Sequence, residues 1–162
     1  KFVGGRSWDD IIFTYTALCS ASKIALLRER LLHYRWNSND NQTSKRSQFP
    51  EVGYRIPYLL KREFEERGLY KIYKIGLINC VVSRAISLLN MLESGESFNE
   101  LFYELKNSYL LKLGAFDIDD AQYFDSYVLA CRNCIIDSDS SETYLLKKFR
   151  NFHKNKNKLY CL

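Results

Sequence analysis

Apolar residues in this chain recur mostly at helical spacing. Between Leu69 and Leu92 they fall at Ile72, Ile75, Leu77, Ile78, Val81, Val82, Ala85, Ile86, Leu88 and Leu89. They lie nearly all round the axis through the middle of that segment, which predicts the central and most buried helix of a bundle. Lys74, Asn79, Arg84 and Asn90 interrupt it, so it does not read as a membrane span. Ahead of it, the pattern predicts a helix from Tyr54 to Arg67, with Pro57 in its first turn and Gly68 as its stop. After it, Ser97 and Glu100 have the spacing of a capping box. The helix they open presents Phe98, Leu101, Phe102, Leu105 and Leu113 to the core. Asp117 or Asp119 is expected to cap the next helix, with Phe124, Tyr127, Val128, Cys131 and Ile135 on its inner face. Ser140 or Ser141 opens the last, with Leu145, Leu146, Phe149 and Phe152 inward.

The first third of the chain follows a different rhythm. A helix is expected from Asp9 to Ala21, with Ile12, Phe13, Thr16 and Ala17 on one face. Lys23 to Leu27 and Leu31 to Arg35 are short apolar runs of strand length, separated by the polar Arg28-Glu29-Arg30. Leu-rich runs are ambiguous by propensity, and their reading as strands rests on the family resemblance given below. Trp36 to Ser47 is a polar loop rich in Asn and Ser. The expected architecture is therefore mainly α: a helical region over 50–162, preceded over 1–49 by a short αββ segment.

Composition narrows the class. The 162 residues are one domain's worth, and 46% of them are hydrophobic. Only seven Gly and two Pro are present, which argues against a sandwich or barrel with many tight turns. The N-terminus lacks a signal peptide's apolar core and opens without Met, so the chain reads as a piece of a longer protein. Five scattered cysteines point to reduced thiols and the cytoplasm. Cys131 and Cys134 have the spacing of a redox or zinc pair, but they sit inside a helical pattern with no second pair, which favours packing.

Charge is unevenly spread. Lys23 to Lys74 holds twelve basic and six acidic residues, whereas Glu93 to Glu142 holds three basic and eleven acidic ones. The basic first half suits an anionic ligand such as a nucleotide sugar. Lys147, Lys148, Arg150, Lys154, Lys156 and Lys158 give the tail six cations and suit an anionic membrane, placing the protein in the cytoplasm at or near the inner face of the membrane. The acidic middle would repel nucleic acid, and no recognition motif for it appears.

The chemistry concentrates in Gly4-Gly5-Arg6-Ser7-Trp8-Asp9-Asp10-Ile11-Ile12-Phe13. Ser7 is a good N-cap, and Asp9 and Asp10 fall in the first turn, where exposed amides favour negative charge. The pair serves either as plain capping acids or as a general base held at a helix mouth. This acid pair with Phe13, then Ala21-Ser22-Lys23-Ile24 and Leu31-Leu32-His33-Tyr34-Arg35, resembles the end of the catalytic domain in family 2 glycosyltransferases. Those enzymes have a GT-A fold and carry an acid pair, usually Glu-Asp, followed by a helix and two strands. Here Asp9 stands where Glu is usual. The likeness covers about residues 1 to 48.

The resemblance implies sugar transfer from a nucleotide donor to a saccharide or lipid-linked acceptor, with inversion. Asp10 would be the base and Asp9 an orienting carboxylate. Trp8 would either offer a face for sugar stacking or pack in the core, Arg35 would contact diphosphate or brace the acid pair, and Tyr34 and His33 would be weaker substrate contacts, with a structural role as the other reading of His33. Lys45 and Arg46 would approach the diphosphate from the loop. The family also uses a divalent metal, Mn or Mg, held by an Asp-x-Asp motif ahead of the acid pair. Asp117-Ile118-Asp119 and Asp137-Ser138-Asp139 follow the acid pair instead and read as helix caps, so the metal is expected in a full-length parent and not in this chain. With the nucleotide-binding half missing, the chain alone is expected to be inactive, and unpaired strand edges suit a homodimer. The reading from another class is a non-catalytic helical module that docks on a membrane or a protein partner.

Overall fold

Six helices form among the described residues of the computed structural model, which are 9–29, 49–92 and 95–159, with side chains from Asp10 as far as Arg150. They are α1 (Asp9–Ser20), α2 (Val52–Glu66), α3 (Tyr70–Met91), α4, α5 (Ser126–Ile136) and α6 (Ser141–Leu159). α4 is composite: an α-helical Gly95–Glu104, a π turn Leu105–Tyr109 and a last α turn Leu110–Leu113 run end to end.

The β part of the expected αββ segment is not seen. Residues 21–29 contain no strand, and Ile24, Leu26 and Leu27 stand in solvent, Leu26 at 92% exposure. A short apolar run becomes a strand only where a neighbouring strand accepts its backbone hydrogen bonds, and no strand is present among the described residues. The expected second strand, Leu31 to Arg35, and the loop Trp36 to Ser47 lie outside the described residues. Without a strand at Lys23 to Leu27, that run offers no edge on which a homodimer would pair.

α2 and α3 form the centre. Ile56, Leu60 and Phe64 of α2 pack with Leu77, Ile78, Val81, Val82, Ala85, Leu88 and Leu89 of α3, all buried. α3 is long and apolar enough to cross a bilayer by length and composition. Its middle is nevertheless the core of this bundle, as the periodicity predicts. α2 starts at Val52, two residues before Tyr54, because the turn through Pro50 and Glu51 already supplies carbonyls for Gly53 and Arg55 at 3.0 and 2.8 Å. Pro57 therefore sits in the second turn. The helix closes at Gly68, whose φ of +69° lets Leu69 N–H reach the Phe64 carbonyl at 2.9 Å and its own N–H reach Glu65 at 3.1 Å.

The remaining helices wrap this pair. Phe98, Leu101, Phe102, Leu105 and Leu113 of α4 are all buried, as expected. The chain is already helical at Gly95, so Ser97 lies in the first turn rather than at the cap. Asp119 caps a 3-10 turn, Asp120–Gln122, and α5 is capped by Asp125, which accepts from Tyr127 N–H at 2.8 Å. Val128, Cys131 and Ile135 of α5 face in, but Phe124 and Tyr127 face out. Ser140 caps α6 through Thr143 N–H at 3.2 Å. Tyr144 of α6 is fully buried between Phe98 and Phe102 and Leu145 packs against the core as expected, while Leu146 and Phe149 are exposed and the Phe152 side chain lies outside the described residues. Tyr144 is preferred because its hydroxyl finds Asn90 Oδ1 at 3.1 Å, which completes the burial of an aromatic with a polar tip.

Candidate functional site

α1 is fixed to the body by one side. Ile11, Ile12 and Thr16 are buried, and the Thr16 hydroxyl returns to the Ile12 carbonyl at 2.6 Å, so no polar group is stranded there. Phe13 and Ala17, expected on the same face, are exposed. Two bonds from α3 hold the helix further along. Arg84 Nη2 donates to the Tyr15 hydroxyl at 3.0 Å, with its guanidinium 5.6 Å from the ring centre. Tyr73 donates to the Cys19 carbonyl at 3.3 Å.

This arrangement leaves Asp10 on the free side of the first turn. Its side chain is exposed and makes no hydrogen bond or ion pair among the described residues. Asp9 is the first residue of the helix, and its side chain is not described. Trp8, His33, Tyr34, Arg35, Lys45 and Arg46 all lie outside the described residues. Of the sequence-derived candidates the structure thus describes Asp10 and the Asp9 backbone.

Among the described residues a concavity lies elsewhere on α1, against the body. A groove of about 570 Å³ runs along α3 between Tyr15 and the start of α5. Gly76, Cys80, Ser83 and Ser87 form its low floor, Arg84 and Tyr15 one wall, and Phe124, Asp125 and Val128 the other. Phe124 is 74% exposed at the rim. Asn79 braces that rim: its amide nitrogen donates to the Ile75 and Gln122 carbonyls and its oxygen accepts from Phe124 N–H, at 2.8 to 2.9 Å. Burial disfavours the Arg84 charge, but the bonds to Tyr15 and Cys80 outweigh it and hold the guanidinium above its ordinary value. Sequence reasoning missed this groove because Tyr15 and Arg84 share no local pattern. The available signal was the spacing of small residues along α3, which marks one shallow face.

No cluster of three or more His, Cys, Asp or Glu residues suited to a metal occurs among the described residues. The two Asp-x-Asp spellings belong to helix connections. Asp117 accepts from the Tyr70 hydroxyl at 3.2 Å, Asp119 caps the 3-10 turn, and the Asp137 carbonyl accepts from Lys147. The described residues therefore do not fit the divalent metal that the resemblance implies. Cys131 is buried and Cys134 half-buried, both as free thiols. Burial pushes the Cys134 thiol up, away from the thiolate that redox or metal chemistry needs.

No family model matches the chain, and neither a curated protein nor a solved structure does.

Proposed function

We propose that this chain is the C-terminal part of a family 2 glycosyltransferase, in which α1 carries the catalytic base on a helical body. In the reaction, an acceptor hydroxyl gives its proton to the Asp10 carboxylate. The acceptor oxygen bonds to the anomeric carbon from one face, and the nucleoside diphosphate leaves from the other with the bonding electrons. The observation that carries the reading is the placement of Asp10. It stands exposed on the first turn of a helix whose opposite side is buried, so the carboxylate is held by a rigid element yet open to a substrate. The dipole of α1 also favours negative charge there. The order of residues from Asp9 to Arg35 supplies the family. Donor binding, and the divalent metal that goes with it, belong to the part of the parent that precedes these residues.

The test is turnover by the full-length parent with a panel of nucleotide sugars and saccharide or lipid-linked acceptors. Asp10→Asn is expected to lower turnover by about 10² to 10⁴ while donor affinity stays within a few-fold. Near-normal turnover in that variant would make the acid pair a helix cap only. The exposed Phe124 beside the α3 groove favours a second reading, a non-catalytic helical module that binds a protein partner. Upstream residues separate the two, since alternating strands and helices ending in Asp-x-Asp belong to the enzyme alone.

A further inference from the structure

α6 is strongly basic. From Ser141 to Leu159 it carries six lysines and arginines and a single carboxylate, Glu142. Three of those cations have described side chains. Lys147 donates to the Asp137 carbonyl at 2.5 Å and Lys148 to Asn90 Oδ1 at 2.6 Å, so both are turned onto the body. Arg150 is exposed, and Lys154, Lys156 and Lys158 follow it along the same helix.

The helix also leaves Leu146 and Phe149 in solvent, at 59% and 61% exposure. Three residues apart, they are neighbours on one side of the helix, and Arg150 adjoins Phe149. Water suits the cation and not the two apolar side chains. An interface between water and acyl chains suits all three, with apolar groups at the headgroup boundary and the cation against phosphate. Eleven acidic residues against three basic ones between Glu93 and Glu142 repel an anionic surface, so within the second half of the chain the basic end of α6 is the part drawn to it.

We propose that α6 is a membrane-surface helix that lays Leu146 and Phe149 into the headgroup region of an anionic bilayer, with Arg150 against the lipid phosphates. The assignment is independent of the glycosyl-transfer reading, because its test needs no turnover. The 162-residue chain is sedimented with vesicles of phosphatidylcholine alone and of phosphatidylcholine mixed with phosphatidylglycerol. Binding is expected to the mixed vesicles only, and to weaken as salt is raised. Replacing Leu146→Ser and Phe149→Ser together lowers binding at least about tenfold, and Arg150→Gln lowers it about fivefold. All three positions are exposed, so helix content and unfolding midpoint stay unchanged. Leu111→Ser, at a still more exposed leucine of α4, leaves vesicle binding as it was. Equal sedimentation with both vesicle types overturns the proposal. A Leu146→Ser, Phe149→Ser double variant that binds like the parent chain overturns it as well.

Discussion

Gly53 decides how closely three helices meet. A Cβ there would lie 2.8 Å from Leu88 Cδ2 and 2.9 Å from Leu101 Cδ2, so the missing side chain lets α2 touch α3 and α4 together. Gly53→Ala is expected to destabilise by about 1 to 3 kcal/mol, the usual cost of overpacking a core. Urea denaturation reads this as a lower midpoint at unchanged slope, and an unshifted midpoint would mean that the leucines swing aside freely. Arg132 shows the opposite case, a buried charge fully provided for. It donates to the Ala115 carbonyl, to Asp120 and to Asn133, and its guanidinium lies 5.0 Å from the Tyr123 ring centre. At this scale the place of Asp10 in the first turn of α1 was legible, since an acid beside an N-cap signal is a local pattern. Arg84 with Tyr15 was not, because their meeting depends on how two distant helices pack.

At the scale of elements, the end of α5 is clasped from both sides. Lys106 of α4 donates to the Ile136 and Ser138 carbonyls at 2.8 and 2.6 Å, and Lys147 of α6 takes Asp137 between them. These are carbonyls that a helix leaves without intrahelical partners, and they sit at the negative end of its dipole. Lys106→Met should therefore cost about 1 kcal/mol and speed amide exchange in the last turn of α5. Unchanged exchange there would show the clasp to be incidental. α3 and α4 were legible from sequence because long apolar periodicity has no competing reading. Lys23 to Leu27 was misread because a five-residue apolar run has no length to arbitrate strand against loop. In α6 Leu145 packs as its hydropathy suggested, but Leu146 gives way to the less apolar Tyr144, whose hydroxyl meets the half-buried Asn90.

Across the whole molecule, tyrosines tie the helices together, and their ionisation sets an alkaline limit. Tyr70 is pushed up to about 12 by burial and by Asp117 beside it. Tyr127 is likewise pushed up to about 12 by burial and by Cys131. In the unfolded chain a tyrosine loses its proton near pH 10. Above that value the unfolded state binds fewer protons than the folded one, so stability is fully present below about pH 10 and falls toward about pH 12. Lys148, held down by burial, works in the opposite sense. Urea midpoints taken through this range should decline, and Tyr70→Phe should flatten the decline. An equally steep fall in that variant would place the sensitivity elsewhere.

The bonds that tie α1 to α3 also imply an order of assembly. Tyr15 meets Arg84 across 69 positions and Cys19 meets Tyr73 across 54, whereas α2 and α3 are joined by a three-residue turn. Closing a long loop costs chain entropy before any contact repays it, so the local hairpin of α2 and α3 forms first. Pulsed hydrogen exchange during refolding should protect amides of α2 and α3 ahead of those in α1, and simultaneous protection would contradict this. The helix that bears the acid pair then locks onto a hairpin that is already formed, and can leave it without unmaking that hairpin.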